Sequence, residues 1–254
     1  MRKVLGSVGA TLLLAAPAFA ADIAATAPPT SAPAVAAVPP WTGFYFGGNL
    51  GWAFGHATWC TDATIVNCTT RPVDVVTQDP TSAVGGGQVG GRWQFNNIVI
   101  GAEGMFDATS LSATTFGIVP GFPAFARSIT FNNLFSATGQ LGFTWGQALI
   151  YGKGGWAGTN LEFSAASVRG LNLNATRSVT NGWTAGGGIE YMILPYMSVG
   201  IEYDFYRFDR VDNIINIANT GGVLIPCAFC AINTNVQTVT GRLNFKLDAL
   251  GWFR

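Results

Sequence analysis

Residues 41–55 alternate two kinds of side chain with a period of two. Thr42, Phe44, Phe46, Gly48, Leu50, Trp52 and Phe54 hold the even positions, and Gly43, Tyr45, Gly47, Asn49, Gly51 and Gly55 the odd ones. Successive residues of a β-strand point to opposite faces, so a strand here presses a greasy face against one medium and a small, wet face against another. The same alternation recurs in seven further stretches, 84–95, 98–110, 131–145, 148–163, 178–193, 196–208 and 236–247. Eight half-apolar strands must bury their edges and one face, and two folds do so: a soluble sandwich and a closed barrel in a membrane.

The phase of the charges decides between them. Trp93, Phe95, Phe131, Phe135, Leu141, Phe143, Trp145, Trp183, Ile189, Tyr191 and Ile193 fall on the apolar face of their strands. Arg92, Glu103, Asp107, Lys153, Glu190, Glu202, Asp204, Arg242 and Lys246 all take the opposite parity. A sandwich turns its apolar face inward and its charges to water, whereas a membrane barrel turns the apolar face to lipid and encloses the polar one. The fold class expected is therefore all-β, an eight-stranded antiparallel up-and-down transmembrane barrel, with those nine charges forming a lumen network.

The connections fit this topology. Asn96-Asn97, Gly146-Gln147 and Leu194-Pro195 are hairpin turns, while the regions near 56–83, 111–130, 164–177 and 209–235 are long. Short turns on the periplasmic rim and long loops outside are the outer-membrane arrangement. Trp41, Trp93, Phe95, Trp145, Tyr191 and Tyr196, at strand ends, are expected to form an aromatic girdle. Only 10% of residues are charged, against ~25% in soluble domains.

Residues 1–20 carry Arg2 and Lys3, an apolar stretch rich in Leu and Ala, and Ala18-Phe-Ala20, the pattern of a cleaved secretory signal. Residues 21–40, nearly all Ala, Pro, Thr, Ser and Val, are expected to be a flexible periplasmic lead. Residues 41–254 form the barrel domain, placed in the cell outer membrane. Without Arg2 and Lys3 the chain holds 11 basic and 13 acidic residues, a balance with no footprint for nucleic acid.

Trp41-Thr-Gly-Phe-Tyr45, Trp93-Gln-Phe-Asn-Asn97, Tyr151-Gly-Lys-Gly-Gly-Trp156, Gly182-Trp-Thr-Ala-Gly-Gly-Gly-Ile-Glu-Tyr191 and Glu202-Tyr-Asp204 resemble the small porin-family outer membrane proteins, also called outer membrane immunogenic proteins. The resemblance covers nearly all of the mature chain. It implies an OmpA-like or OmpX-like barrel that acts as a surface antigen. It also implies a terminal aromatic on the last strand, from which this chain departs, since Asp248 to Arg254 follow Asn244-Phe-Lys-Leu247 and Phe253 is penultimate.

Candidate chemistry is sparse. Eight strands leave an interior just wide enough for side chains to fill, which favours a filled barrel with a structural and surface-interaction role over the alternative, a narrow pore for small solutes. Cys60, Cys68, Cys227 and Cys230 are placed in two long loops, where an exported chain is expected to form disulfides; pairing within each loop, Cys60 with Cys68 and Cys227 with Cys230, is favoured among the 3 connectivities. Metal binding has less support, because the one histidine, His56, is remote from Cys227-Ala-Phe-Cys230. His56 with Asp107 and Ser110 is the sole candidate for a hydrolytic triad acting on lipid A, and no motif joins them. No enzyme activity, cofactor or metal is therefore expected. Gly85-Gly-Gly-Gln-Val-Gly90 formally matches a dinucleotide fingerprint, but no helical pattern follows it. The expected partners are outer-membrane lipid and lipopolysaccharide, the outer-membrane assembly machinery, and an extracellular partner at the long loops.

Overall fold

A computed structural model describes residues 40–61, 74–117, 125–167, 172–212, 216–218, 224–226 and 230–247. Its strands are β1 (Gly43–Thr61), β2 (Asp74–Gln78), β3 (Thr81–Phe95), β4 (Ile98–Gly117), β5 (Phe125–Trp145), β6 (Ala148–Ser167), β7 (Asn172–Leu194), β8 (Met197–Phe208), β9 (Val211–Asp212), β10 (Asn216–Ala218), β11 (Leu224–Pro226) and β12 (Cys230–Lys246). Strands β1, β3, β4, β5, β6, β7, β8 and β12 are the staves. Each pairs antiparallel with its neighbour, and β1 pairs with β12 from Tyr45 opposite Lys246 to Thr61 opposite Cys230, which closes the barrel. A closed sheet satisfies every wall hydrogen bond within the protein, the condition for crossing lipid with strands.

Three two-residue turns join staves at one rim. Asn96 has a φ of 54° and Gly146 a φ of 60°, the left-handed geometry that Asn and Gly adopt at least cost. The third turn is Pro195-Tyr196, one residue later than expected, because Leu194 still pairs with Met197. At the other rim β2 continues β3 in one register along β1, with Ala57 opposite Gln78 and Phe54 opposite Thr81. The break between them is Pro80, which lacks an N–H for the ladder and whose carbonyl accepts from Gly55 at 2.8 Å.

The outer wall carries an apolar belt. Phe44, Leu50, Trp52, Val89, Ile100, Leu141, Ile150, Ile189 and Ile201 are all exposed. Ten residue steps from Phe44 to Phe54, at about 3.3 Å each and tilted by about 40°, span roughly 25 Å, the height of an outer-membrane belt.

Above that belt the alternation inverts. Leu111, Ile129, Leu161, Ile232 and Val236 are buried inside the barrel, while Ser112, Thr114, Asn181, Arg207 and Asn233 face outward. The staves therefore run on past the ends expected for them, into the regions read as long loops: β1 reaches Thr61, β4 Gly117 and β6 Ser167, while β5 starts at Phe125, β7 at Asn172 and β12 at Cys230. An expectation of apolar residues outside ends each strand where it meets water.

Phe131 shows the inversion in one residue. Expected on the lipid face, it is fully buried in the lumen. The register against β6 shifts between Phe131 and Asn133, and this bulge turns everything above it over: Leu134 and Ser136 face inward below it, Phe131 and Ile129 above. Burying such side chains stabilises the upper barrel by about 1.5–3 kcal/mol each, a gain available only where the outside medium is water.

Candidate functional site

The lumen is filled in three layers. The lowest is apolar and consists of Trp41, Val99, Leu149, Tyr151 and Met192. Trp41 is a correction: expected in the outer girdle, it folds into the barrel mouth at 4% exposure. Its backbone N–H donates to Gln94 Oε1 at 2.7 Å, and its ring lies 5.7 Å from the Arg92 guanidinium carbon. Lys246, on the inward face of β12, donates from Nζ to the Pro40 carbonyl at 2.6 Å, which places it at this rim.

The middle layer brings together the remaining eight charged residues assigned to the lumen. Arg92 from β3 makes a fork to Glu190 of β7, Nη1 to Oε2 at 2.9 Å and Nη2 to Oε1 at 2.7 Å, and its Nε donates to Gln140 Oε1 at 3.1 Å. The same guanidinium lies over the Tyr45 ring at 4.4 Å and near the Tyr151 ring at 5.3 Å. Arg242 of β12 binds Glu103 of β4 and Glu202 of β8 directly, and lies 3.6 Å from Glu190. Lys153 of β6 reaches Glu202 at 2.8 Å, Asp204 at 3.1 Å and Glu103 at 3.4 Å. Asp107 joins through Asn49, whose Nδ2 donates to its Oδ1 at 2.8 Å and to Gln88 Oε1 at 3.1 Å. All eight are at most 7% exposed. Charges this deep persist only when paired and hydrogen-bonded, since the desolvation of each costs several kcal/mol.

Uncharged members of this layer were not singled out from the sequence. Tyr45 donates to Glu103 at 2.7 Å, Tyr151 reaches up from the lowest layer to donate to Glu202, Ser198 donates to Glu190 at 3.1 Å, and Gln88 donates to Asn244 at 2.9 Å. All hold the inward parity of their strands, so parity was the signal that would have found them. Alternating glycines make room for these groups. A Cβ on Gly86 would lie 2.4 Å from Asp107 Oδ1, and one on Gly186 would lie 2.1 Å from Asp204 Oδ1.

The upper layer is the apolar cluster of Ala53, Ala57, Val84, Met105, Leu111, Ile129, Phe131, Leu134, Ala157, Leu161, Tyr206, Phe208, Ile232 and Val236. Tyr206 and Phe208 stack at 6.3 Å between centroids.

The other candidates come apart. His56 lies on the outer face and bonds Asp79 Oδ1 at 2.6 Å, whereas Asp107 faces the lumen and Ser110 is exposed on β4, so the three do not converge. Cys60 and Cys230 are corrections too, because they lie in β1 and β12 and not in loops: the register sets Cys60 opposite Ala231 and Thr61 opposite Cys230. Cys68 and Cys227 lie outside the described residues, as do the signal segment and nearly all of the lead. Among the described residues no group of three or more His, Cys, Asp or Glu could hold a metal ion.

Comparison with known proteins agrees with this architecture. The chain is 29% identical to the 31 kDa outer-membrane immunogenic protein of Brucella melitensis biotype 1, over 96% of this chain and 98% of the relative. The same figures hold for the protein of that name from Brucella suis biovar 1. Among solved structures, the outer membrane protease OmpT of Escherichia coli aligns over 81% of this chain and 97% of its own, with a TM-score of 0.50 and 10% identity, a likeness of fold alone. The model of the outer membrane protein β-barrel domain matches residues 8–223, and the chain belongs to that family of outer-membrane barrels.

Proposed function

We propose that this protein is a filled, non-conducting barrel whose roles are to anchor a rigid wall in the outer membrane and to present its long-connection end to the outside. The observation that carries this reading is the lumen. Three stacked layers, each drawing residues from several staves, occupy the bore from Trp41 to Ile232. In this reading the charged layer stiffens the barrel by tying staves that are not neighbours: Arg242 of β12 to Glu103 of β4, and Arg92 of β3 to Glu190 of β7. The role is non-catalytic, which the separation of His56 from Asp107 and Ser110 supports. Disulfides among Cys60, Cys68, Cys227 and Cys230 belong to the same proposal, as does insertion by the outer-membrane assembly machinery after removal of residues 1–20.

The test is single-channel recording on the refolded mature protein in a planar bilayer, after a heat-dependent gel shift has shown the folded barrel. Silence is expected. Steady steps that change when Arg92 or Glu190 is altered would establish the alternative, a narrow pore.

A further inference from the structure

Where the outer face changes from apolar to polar, one cross-strand row spans four neighbouring staves. His56 of β1 pairs with Asn235 of β12, Asn235 with Arg207 of β8, and Arg207 with Trp183 of β7. All four project outward, and Asn181 is exposed two residues along β7 from Trp183. The charges at this level are Arg207 and, on the far side of His56, Asp79, followed along the chain by Asp209 and Arg210. Arg207 has the Asn235 amide on one flank and the Trp183 indole on the other, with Asn181 on the diagonal, the amide and aromatic surroundings suited to an anion at a membrane surface.

Below Arg207, past the Ala185–Phe205 pair whose phenyl ring packs on Trp183 at 5.6 Å, the wall carries a groove. The outward pairs of β7 and β8 run down from Trp183–Arg207 through Ala185–Phe205, Gly187–Tyr203, Ile189–Ile201 and Tyr191–Val199. The last three pairs, with Ile150 and Tyr151 of β6, line an open groove of about 840 Å³. Its depth comes from Gly187, where a Cβ would lie 2.7 Å from the Tyr151 carbonyl oxygen. Four residue steps place the top of the groove about 10 Å below Arg207, and six place the Ile189–Ile201 pair about 15 Å below. That lies just past the middle of the ~25 Å belt, so a chain hanging from a headgroup at Arg207 would end within the groove.

We propose that this strip of β7 and β8 holds one phosphorylated, acylated glycolipid of the outer leaflet, of the lipid A class, with a phosphate at Arg207 and one acyl chain in the groove. The groove is continuous with the lipid-facing belt, and the headgroup level coincides with the polar row. The proposal rests on the outer-membrane reading above, with the long connections outward.

The refolded mature protein would be incubated with bisphosphorylated lipid A, its dephosphorylated form, or phosphatidylglycerol, and retained lipid counted by native mass spectrometry. One retained bisphosphorylated lipid A is expected. Retention should fall about tenfold in Arg207→Glu, which removes the head contact, in Ile201→Trp, which fills the groove, and for the dephosphorylated lipid. Both variants change exposed side chains, and their heat-dependent gel shift checks folding. Unchanged retention by Arg207→Glu, or equal retention of the dephosphorylated lipid, would overturn the headgroup site. Unchanged retention by Ile201→Trp would overturn the groove, and equal retention of phosphatidylglycerol would overturn the choice of glycolipid. A conducting barrel would overturn the proposed function and leave these outcomes unaffected.

Discussion

Arg92 meets the lumen with every part of its guanidinium: two nitrogens on Glu190, Nε on Gln140, and its face on Tyr45. This geometry suits arginine and no other base, because only a planar fork can bind a carboxylate in two places while stacking on a ring. Glu190 is fully buried, so removing its partner leaves an anion that water cannot reach. Arg92→Met should lower stability by about 3–5 kcal/mol, the usual cost of breaking a buried pair, measured by urea unfolding in lipid vesicles. The double variant Arg92→Met with Glu190→Leu should recover most of that loss, since neither charge is then stranded. A single variant within 1 kcal/mol of wild type would mean that Arg242, 3.6 Å from Glu190, takes over the pairing.

At the scale of strands, the wall has two exteriors, and a charge tells them apart. Leu50 is 71% exposed on the belt and Ser112 is exposed above it. Leu50→Arg should cost ~2–4 kcal/mol, as for arginine near the bilayer midplane, while Ser112→Arg should be nearly neutral in the same unfolding measurement. Equal costs would refute the boundary drawn at His56 and Arg207. Glycines divide in the same way. A Cβ on inward Gly155 would sit 2.1 Å from the Ala137 carbonyl oxygen, whereas outward Gly139 has nothing within 4 Å. Gly155→Ala should therefore lose the heat-dependent gel shift, and Gly139→Ala should keep it. The existence, number and phase of the staves were legible because lipid outside and polar groups inside impose one alternation on all eight. Their upper ends were not, because Leu111 and Ile129 obey the opposite rule, that of a core beneath a watery surface. Nor did alternation reveal the bulge beside Phe131 or the inward turn of Trp41, since neither belongs to a regular ladder with one side to lipid. Parity assigned inward charges, but which acid met which base depended on the stagger of the closed barrel.

For the molecule as a whole, the three lumen layers act in series. An ion crossing the bore would have to pass the Trp41 layer, the charged layer and the cluster around Phe131, so opening one leaves the other two shut. Trp41→Ala removes the largest side chain of the lower mouth, and Phe131→Ala creates a cavity in the upper cluster at a cost of about 3–5 kcal/mol. Both variants should stay silent in planar-bilayer recording, although Phe131→Ala should unfold at lower urea. Loss of the charged layer should act differently: its members link staves that are not neighbours, and on the proposed role their removal should loosen the scaffold before it clears a path. If Trp41→Ala alone produced steady conductance steps, the charged layer and the Phe131 cluster would both be permeable as they stand and the barrel would be held shut at its periplasmic mouth. Silence in Trp41→Ala, with steps appearing only when the middle layer is also stripped, would place the decisive barrier among Arg92, Lys153, Arg242 and their carboxylates and would show the Phe131 cluster to be permeable.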